Sequence, residues 1–199
     1  ELAAAGTPDW TLVAAAHQTR GRGRLGRTWL DEPGRALMFS LVLRPELDPV
    51  SGGLLTLLAG TAMAQACFEL ADQRAACKWP NDLMVGERKL SGILAEAVAM
   101  ATGRAAVVVG MGLNVRWPAT DQLPEELRGR LVALNHVSTT APDPDAVLDR
   151  DHETVLAGHR DQRGIGGLHP SRIHDGAGDA LVSKPRSDVP AMAAQDEVV

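Results

Sequence analysis

Two long apolar segments joined by a short polar connection constrain the fold of this chain more than any other feature. Residues 89–100 read KLSGILAEAVAM and residues 105–115 read AAVVVGMGLNV, and Thr102 and Gly103 lie between them. Apolar runs of strand length that are separated by turn-forming residues are typical of a β-hairpin. The sequence therefore predicts two long antiparallel strands whose connection lies near Thr102 and Gly103.

Three other segments have the composition of strands. Residues 10–18 and 35–45 are apolar runs rich in residues that suit a pleated sheet. Residues 75–85 begin in the same way and are interrupted by Pro80, after which residues 83–85 resume the apolar run. We expect all three segments to contribute to the same sheet as the hairpin.

Two segments have helical patterns. Residues 51–70 place apolar side chains three and four positions apart, as one face of a helix requires, and Ser51 suits the N-cap position. Residues 124–131 open with Pro124 and two acidic residues, a pattern typical of a short helix. One long helix beside several strands joined by hairpins predicts an α+β fold built on a largely antiparallel sheet.

Composition narrows the function classes. The chain has 199 residues and a formal net charge of −5 at pH 7, whereas a general nucleic-acid-binding domain is usually basic. We expect no apolar run to approach the roughly 20 residues of a membrane span, and no secretory signal opens the sequence. Cys67 and Cys77 have no metal-ligand partners at useful spacing, which indicates buried thiols and a cytoplasmic location rather than a disulfide.

The character of the chain changes after about residue 138. Residues 1–138 carry the strand and helix patterns and are expected to form one domain, while residues 139–199 are expected to be a linker and a degenerate tail. Residues 160–199 are rich in Gly, Pro, Asp, Arg and Ser and show no sustained period, so they are predicted to be poorly ordered. A small β module is the alternative for the same residues.

A cationic, glycine-rich segment lies between the first two predicted strands. Residues 18–29, called the arginine loop below, read QTRGRGRLGRTW and contain four arginines and three glycines. The glycines let the backbone approach a ligand closely, and guanidinium groups can bind phosphate or carboxylate oxygens with two hydrogen bonds. By itself the segment is equally compatible with a solvated or nucleic-acid-binding loop.

Two further segments place polar groups where strands end or break. Residues 78–93 put Asn81 and Asp82 at the strand break and return Lys89 across a tight turn. Residues 110–115 end an apolar strand with two glycines and Asn114. Taken singly, the lysine is best explained as a solvated surface residue, and the asparagine is equally explained as a strand-ending turn residue or a ligand contact.

The combination of these segments resembles the biotin protein ligases, the biotin–[carboxyl-carrier] ligase family. The shared motifs are Q-x-x-G-R-G-R-x-G-R-x-W at 18–29, K-W-P-N-D at 78–82, R-K-L-x-G-I-L at 88–94 and G-x-G-x-N at 110–114. The resemblance covers about residues 10–135. It implies a fold similar to that of class II aminoacyl-tRNA synthetases and biotin synthetases, with a largely antiparallel mixed sheet flanked by helices.

The resemblance also implies an activity with two half-reactions. Biotin and Mg·ATP give biotinyl-5′-AMP and pyrophosphate, and the biotinyl group then passes to a lysine of the biotin carboxyl carrier domain of a carboxylase. The implied enzyme is thus a cytoplasmic biotin–[biotin carboxyl-carrier protein] ligase with ATP, Mg²⁺ and biotin as cofactor and substrates. Cationic donors are required in such a site because the attacking carboxylate and the phosphate are both anions.

The resemblance assigns roles to individual residues. Lys89 matches the family's central lysine, which reaches the biotin carboxylate and the α-phosphate, and it acts with Arg22 and Arg24 as the catalytic cations. Asp82 and Asn114 match positions beside the nucleotide and its Mg²⁺, a hard cation that prefers oxygen ligands. The positions implied to bind the substrates are Gln18, Gly21, Arg22, Arg24, Asp82, Lys89, Gly92, Gly110, Gly112 and Asn114.

Other positions are implied to shape the site. Gly92, Gly110 and Gly112 match positions where a missing side chain leaves room for the ligand. Trp29 and Trp79 are expected to pack and hold their segments rather than contact the ligand.

Some family elements have no counterpart in this sequence. The Ser-Thr-Asn segment that precedes the first strand, a C-terminal SH3-like module and a helix-turn-helix domain are not found, so no operator binding is expected. A protein that binds biotin or its adenylate without turnover is therefore one alternative. A lipoate or octanoyl transferase is a second alternative, and an RNA-binding module that uses the arginine loop is a third.

Overall fold

The chain forms an eight-stranded sheet with one long helix. The computed structural model describes residues 3–45, 52–99, 105–140, 147, 170–174 and 180–185. The strands are β1 Thr11–Ala15, β2 Ala36–Leu43, β3 Ala76–Lys78, β4 Asp82–Val85, β5 Arg88–Ala99, β6 Ala105–Asn114, β7 Pro170–His174 and β8 Ala180–Pro185. The helices with described bounds are α1 Gly52–Ala71 and α2 Leu134–Val137.

The strand order is β3-β4-β5-β6-β2-β1-β8-β7, and each neighbouring pair is antiparallel. At the centre, β5 and β6 pair from Ser91 opposite Leu113 to Ala99 opposite Ala105. The predicted long hairpin and the α+β fold with a largely antiparallel sheet are therefore confirmed. The connection predicted near residue 102 and the N-cap predicted at Ser51 lie outside the described residues.

Helix α1 covers one face of the sheet. Successive side chains of a strand point to opposite faces, so alternate residues of β2 face the helix. These residues, Leu37, Phe39, Leu41 and Leu43, share one core cluster with the buried side of α1. The buried residues of the helix are mostly small, which permits close packing, and they are Leu55, Ala59, Ala62, Met63, Ala66, Cys67 and Ala71.

Helix α1 is also long and apolar enough, by length and composition, to cross a membrane. The expectation that no apolar run approaches that length was wrong, because residues 53–71 contain a single charged residue, Glu69. In the fold, the packing of α1 against the sheet accounts for the apolar character of its inner side. Its outer side still exposes several large side chains, namely Leu54, Leu57, Leu58 and Phe68.

The helix predicted at 124–131 was wrong in length and type. The structure has only a 3-10 turn at Glu125–Leu127. Beyond it, Gly129 adopts a left-handed backbone conformation with φ of 70°, and the Lys89 N–H donates to the Arg130 carbonyl at 2.7 Å. The backbone does not continue as a helix because residues 130 and 132 form hydrogen bonds with Lys89 of β5 instead.

The tail contains two strands in the region where the sequence analysis favoured poor order and kept a small β module as the alternative. Pro170–His174 and Ala180–Pro185 pair with each other, and β8 extends the sheet by pairing with β1. Residues 160–199 show no alternating apolar pattern that would indicate these strands. Their place at the edge of the sheet depends on backbone pairing with β1, which is not visible in the local sequence.

The exposure of two side chains also differs from expectation. Cys67 is buried, as predicted, but Cys77 is exposed on β3. Trp79, expected to pack, is 78% exposed. Cys77 lies on the edge strand β3, and Trp79 directly follows that strand. All residues of β3 are exposed, so in the described structure these two side chains are not covered by another element.

Candidate active site

A β-bulge in β5 brings the predicted lysine to the site. Leu83 lies opposite Ser91 and Met84 lies opposite Lys89, so Leu90 has no partner on β4. The extra residue shifts the alternation of side chains. Leu90 and Ile93 therefore both enter the core beneath α1 although they are three positions apart, and Lys89 turns to the opposite face of the sheet.

The side chain of Lys89 lies among three groups on that face. Its Nζ is 2.7 Å from Oδ1 of Asp82, 5.6 Å from the centre of the Trp29 ring and 3.0 Å from where a β-carbon on Gly92 would lie. The lysine and aspartate side chains are 36% and 29% exposed. Lys89 thus presents a partly exposed ammonium group that is already paired with one carboxylate.

Glycines form the floor beside this ammonium group. Asp82, Gly92, Gly112 and Met38 lie in one row across four adjacent strands. The Trp29 ring lies directly on the two glycines, because a β-carbon at Gly112 would be 2.6 Å from Cζ2 and one at Gly92 would be 3.0 Å from Cζ3. A side chain at Gly112 would overlap the Trp29 ring, and one at Gly92 would require the Trp29 and Lys89 side chains to shift by a few tenths of an ångström.

Gly110 lies one row further along the same face and is less crowded. It pairs with Ser40 on β2 and with Leu94 on β5. A β-carbon there would make contacts of ordinary length, 3.6 Å to Oγ of Ser40 and 3.7 Å to the Leu94 carbonyl oxygen. That these glycines leave room for a ligand stays a prediction: the Trp29 ring fills the space above Gly92 and Gly112, and a side chain at Gly110 would make contacts of ordinary length.

The arginine loop folds back on itself as a narrow ribbon. The Trp29 N–H donates to the Gly21 carbonyl at 3.1 Å and the Gly23 N–H donates to the Arg27 carbonyl at 2.7 Å. At the tip, Arg24–Gly26 forms a 3-10 turn, in which Leu25 has φ of 57° and is 85% exposed. A β-carbon on Gly21 would lie 2.7 Å from the Trp29 carbonyl oxygen, so the ribbon requires glycine at that position.

One arginine of the loop reaches the site face of the sheet. The Arg22 guanidinium donates to Oε2 of Glu96, on β5, at 2.8 Å. The two side chains are 72% and 41% exposed, so this contact orients the loop more than it stabilises the fold. Arg24 is also exposed, and its position at the tip leaves the guanidinium facing solvent.

The base of the arginine loop is held by a carboxylate. Oδ2 of Asp31 accepts hydrogen bonds from the Gln18 N–H at 3.1 Å and from Nδ1 of His17 at 2.8 Å. Oε1 of Gln18 lies 3.1 Å from where a β-carbon on Gly21 would be. Gln18 and Gly21, two predicted binding residues, are thus adjacent in space. Neither His17 nor Asp31 was among the predicted site residues.

The K-W-P-N-D segment is fixed to β5 by Asn81. Its side-chain amide donates to the Ile93 carbonyl at 3.0 Å, and its own carbonyl accepts from the Ile93 N–H at 2.9 Å. These two bonds place Asp82 opposite Gly92. The aspartate is therefore held beside Lys89 by backbone contacts of its neighbour.

Asn114 is buried at the end of β6, with 3% exposure. Its side-chain amide donates to the Lys89 carbonyl at 3.3 Å, which links the two predicted motifs. The following segment returns to this point, since the Asn135 N–H donates to the Val115 carbonyl at 3.1 Å. Lys89, Asp82 and Asn114 consequently share one small region of the sheet.

Asp82 and Asn114 were also predicted to hold Mg²⁺. Among the described residues, no group of three or more His, Cys, Asp or Glu side chains could hold a metal ion. The two residues together offer few oxygen donors, which fits an ion that is bound by one or two protein groups while phosphates and water complete its coordination. The assignment of Mg²⁺ to Asp82 and Asn114 therefore stays a prediction.

The fold and the site together define the class of this protein. A largely antiparallel sheet covered on one face by a long helix, with Lys89 and Arg22 reaching the other face, is consistent with the class II synthetase-like fold. The model of the Biotin/lipoate A/B protein ligase family matches residues 2–114, more than half of the chain. The chain belongs to this family.

Individual relatives agree with this assignment. The chain is 36% identical over 148 residues to the bifunctional ligase/repressor BirA of Bacillus spizizenii, covering 74% of this chain and 45% of that protein. It is 35% identical over 146 residues to a biotin–[acetyl-CoA-carboxylase] ligase of Mycobacterium tuberculosis, covering 71% of this chain and 51% of that protein. The chain spans about half the length of these relatives.

A solved structure has the same fold. The biotin protein ligase from Aquifex aeolicus in complex with biotin and ATP superposes with a TM-score of 0.69 at 30% identity, covering 82% of this chain and 66% of that one. The superposition extends over most of the chain. The α+β fold and the membership in the ligase family therefore have independent support from sequence and structure.

Proposed function

We propose that this chain is an ATP-dependent biotin ligase that forms biotinyl-5′-AMP and transfers the biotinyl group to a lysine of a biotin carboxyl carrier domain. One observation supports the proposal above all others. The ammonium group of Lys89 lies beside Gly92 and 5.6 Å from the ring of Trp29, the last residue of the arginine loop, and Arg22 of that loop binds Glu96 on the same strand as Lys89. This arrangement suits a substrate that brings a carboxylate and a phosphate together.

The first half-reaction joins two anions. A carboxylate oxygen of biotin bonds to the α-phosphorus of ATP, the bond from that phosphorus to the bridging oxygen breaks, and pyrophosphate leaves. Lys89 would exchange the Asp82 carboxylate for the substrate carboxylate and the α-phosphate. Because the exchanged groups have the same charge type, the ammonium group stays neutralised before and during the reaction.

The arginine loop would hold the adenylate. Arg22 would leave the exposed Glu96 for the ligand's phosphate, and Arg24 at the tip of the loop would close over it. Gln18 and Gly21 would contact biotin at the base of the loop. A closed loop also separates a reactive acyl-phosphate anhydride from water, which limits its hydrolysis.

The remaining predicted residues would position the nucleotide and the acyl chain. Asp82 and Asn114 would contact the Mg²⁺ that accompanies ATP, and this ion would neutralise charge on the phosphates. Gly110, which pairs with Ser40 and carries no side chain, would leave room for part of biotin. In the second half-reaction, the amine of a carrier lysine bonds to the acyl carbon and loses a proton, and AMP leaves.

Biotin-dependent exchange of labelled pyrophosphate into ATP tests the first half-reaction. We expect exchange that requires biotin and that is strongly reduced in Lys89→Ala. Intact mass of a biotin carboxyl carrier domain, incubated with the chain, biotin and Mg·ATP, tests the second half-reaction and the proposed partner. A folded chain that shows no exchange at saturating biotin would contradict the proposal, and binding of biotin in a calorimeter without exchange would identify a non-catalytic binder instead.

The family description includes lipoate as well as biotin, so the same assay is to be run with lipoate. We expect exchange to depend on biotin and to be unaffected by an equal concentration of lipoate. Lipoate-dependent exchange that exceeds the biotin-dependent rate would assign the chain to the lipoate-handling part of the family.

A further inference from the structure

We propose that Asp31 is a positioning residue that, together with His17, fixes Gln18 and the base of the arginine loop for binding of the carboxylic-acid substrate. The inference rests on the proposed function for the contact between Gln18 and the substrate. Its structural part concerns the order of the loop and can be tested without catalysis.

The geometry around Asp31 joins the two ends of the loop. Gln18 is the first residue of the arginine loop, and Asp31 lies just beyond its last residue. Oδ2 of Asp31 accepts from the Gln18 N–H at 3.1 Å and from Nδ1 of His17 at 2.8 Å. One carboxylate oxygen therefore closes the loop where strand β1 has already ended at Ala15.

Burial makes this carboxylate unusual. The Asp31 side chain is 0% exposed, whereas that of His17 is 36% exposed. Oδ1 of Asp31 is buried and has no hydrogen-bond partner among the residues that the structure describes. Burying a carboxylate costs free energy unless hydrogen-bond donors replace the lost water. The two hydrogen bonds at Oδ2 therefore provide most of the compensation for the burial of Asp31.

Gln18 lies next to Gly21, and Gly21 connects it to Trp29 at the proposed ligand site. Oε1 of Gln18 lies 3.1 Å from where a β-carbon on Gly21 would be. The Gly21 carbonyl in turn accepts from the Trp29 N–H at 3.1 Å, and the Trp29 ring rests on Gly92 and Gly112. A shift of the Gln18 backbone would therefore displace both the proposed biotin contact and the Trp29 ring.

Asp31 does not contact Lys89 or any other proposed catalytic cation among the described residues. A positioning role therefore predicts a selective kinetic effect. We expect Asp31→Ala to raise KM for biotin by about 10-fold to 100-fold, the range that corresponds to loss of a hydrogen bond to a charged group. We expect kcat at saturating biotin and KM for ATP to stay within about threefold, because Lys89 keeps its surroundings.

Two variants sharpen the test. Asp31→Asn keeps the size and an acceptor oxygen but removes the charge, so its KM for biotin should fall between wild type and Asp31→Ala. Glu32→Gln is the matched control, since Glu32 is the adjacent carboxylate. Its side chain is exposed and pairs with the Arg35 guanidinium at 3.3 Å. We expect Glu32→Gln to leave KM for biotin unchanged.

Amide hydrogen exchange provides a readout that does not need activity. We expect Asp31→Ala to remove protection of the Gln18 N–H and of the Trp29 N–H while the amides of β5 and β6 keep theirs. If wild type shows no biotin-dependent exchange of pyrophosphate, the proposed function fails and this measurement still decides the structural part. Unchanged KM for biotin in an active Asp31→Ala enzyme, or unchanged protection of Gln18, would overturn the inference, as would a uniform loss of protection throughout the sheet.

Discussion

Oδ1 of Asp82 lies 2.7 Å from Nζ of Lys89, although the two residues come from neighbouring strands whose register slips between them. Both side chains are partly exposed, so the pair adds little to the stability of the fold. The pair holds the ammonium group beside Gly92, and in the proposed reaction an anionic substrate would replace the aspartate.

The first prediction concerns Lys89. We expect Lys89→Ala to lower the rate of pyrophosphate exchange by about 10²–10³, the scale of losing one preorganised donor of a charged hydrogen bond. Lys89→Arg should also be slow, because a planar guanidinium does not replace a compact ammonium group. The matched control is Lys78→Ala, which removes an exposed lysine of β3 and should leave the rate within about twofold. Equal losses in the two alanine variants would contradict the assignment.

The second prediction concerns the contact between Gly112 and Trp29. A β-carbon at Gly112 would lie 2.6 Å from the Trp29 ring, so we expect Gly112→Ala to lower the free energy of unfolding by about 1–3 kcal/mol through overpacking. Urea denaturation measures this change. Gly110→Ala is the control, since its β-carbon would make contacts of 3.6 and 3.7 Å and should cost less.

Removal of the ring provides a direct check of this cause. In a Trp29→Ala background, Gly112→Ala should lose most of its cost, which would give a coupling energy of about 1 kcal/mol or more in a double-mutant cycle. Additive effects of the two substitutions would show that the ring does not rest on Gly112.

The third prediction separates stability from ligand retention at the Arg22–Glu96 contact. We expect Glu96→Gln to change the free energy of unfolding by less than about 1 kcal/mol, because the pair is exposed. Arg22→Ala should be similarly mild for folding but should weaken retention of the adenylate by about 10-fold to 100-fold. Thermal denaturation and the dissociation rate of the adenylate measure the two effects. Large destabilisation in Glu96→Gln would indicate that the contact belongs to the core of the fold.

The fourth prediction compares two large apolar residues of the same motif region. Leu90 is 0% exposed and Trp79 is 78% exposed. We expect Leu90→Ala to cost about 2–5 kcal/mol, the usual range for a buried leucine, and Trp79→Ala to stay within about 0.5 kcal/mol. Chemical denaturation of both variants checks the difference. A large loss of stability in Trp79→Ala would support the original expectation that this side chain packs.

Much of the fold was predictable because its local signals agree with its long-range pairing. Apolar runs separated by turn residues indicate the hairpin of β5 and β6, and Pro80 indicates the break between β3 and β4. The strands at 170–174 and 180–185 were not predictable, since their residues alternate weakly and their place in the sheet depends on β1. The turn after Pro124 was misjudged because the backbone contact between Arg130 and Lys89 overrides a favourable helix start.

The site was less predictable than the fold. Motifs indicated Lys89, Asp82, Gly112 and Asn114, and the structure brings these residues into one region of the sheet. No motif marks Asp31 as a positioning residue. In the sequence, an aspartate shortly before Pro33 and Gly34 has the pattern of an ordinary turn residue. One usable signal for the bulge existed: Leu90 and Ile93 are both apolar at a spacing that a regular strand would place on opposite faces.

The unpaired Leu90 makes this protein sensitive to chain length at a single point. Deleting that one residue would let β4 and β5 pair without interruption and would keep Lys89 opposite Met84 on its present face, but the layer beneath the helix would lose a fully buried leucine. Insertions and deletions between the turn at Gly86 and the glycine floor should therefore be far more damaging than conservative substitutions in the same stretch.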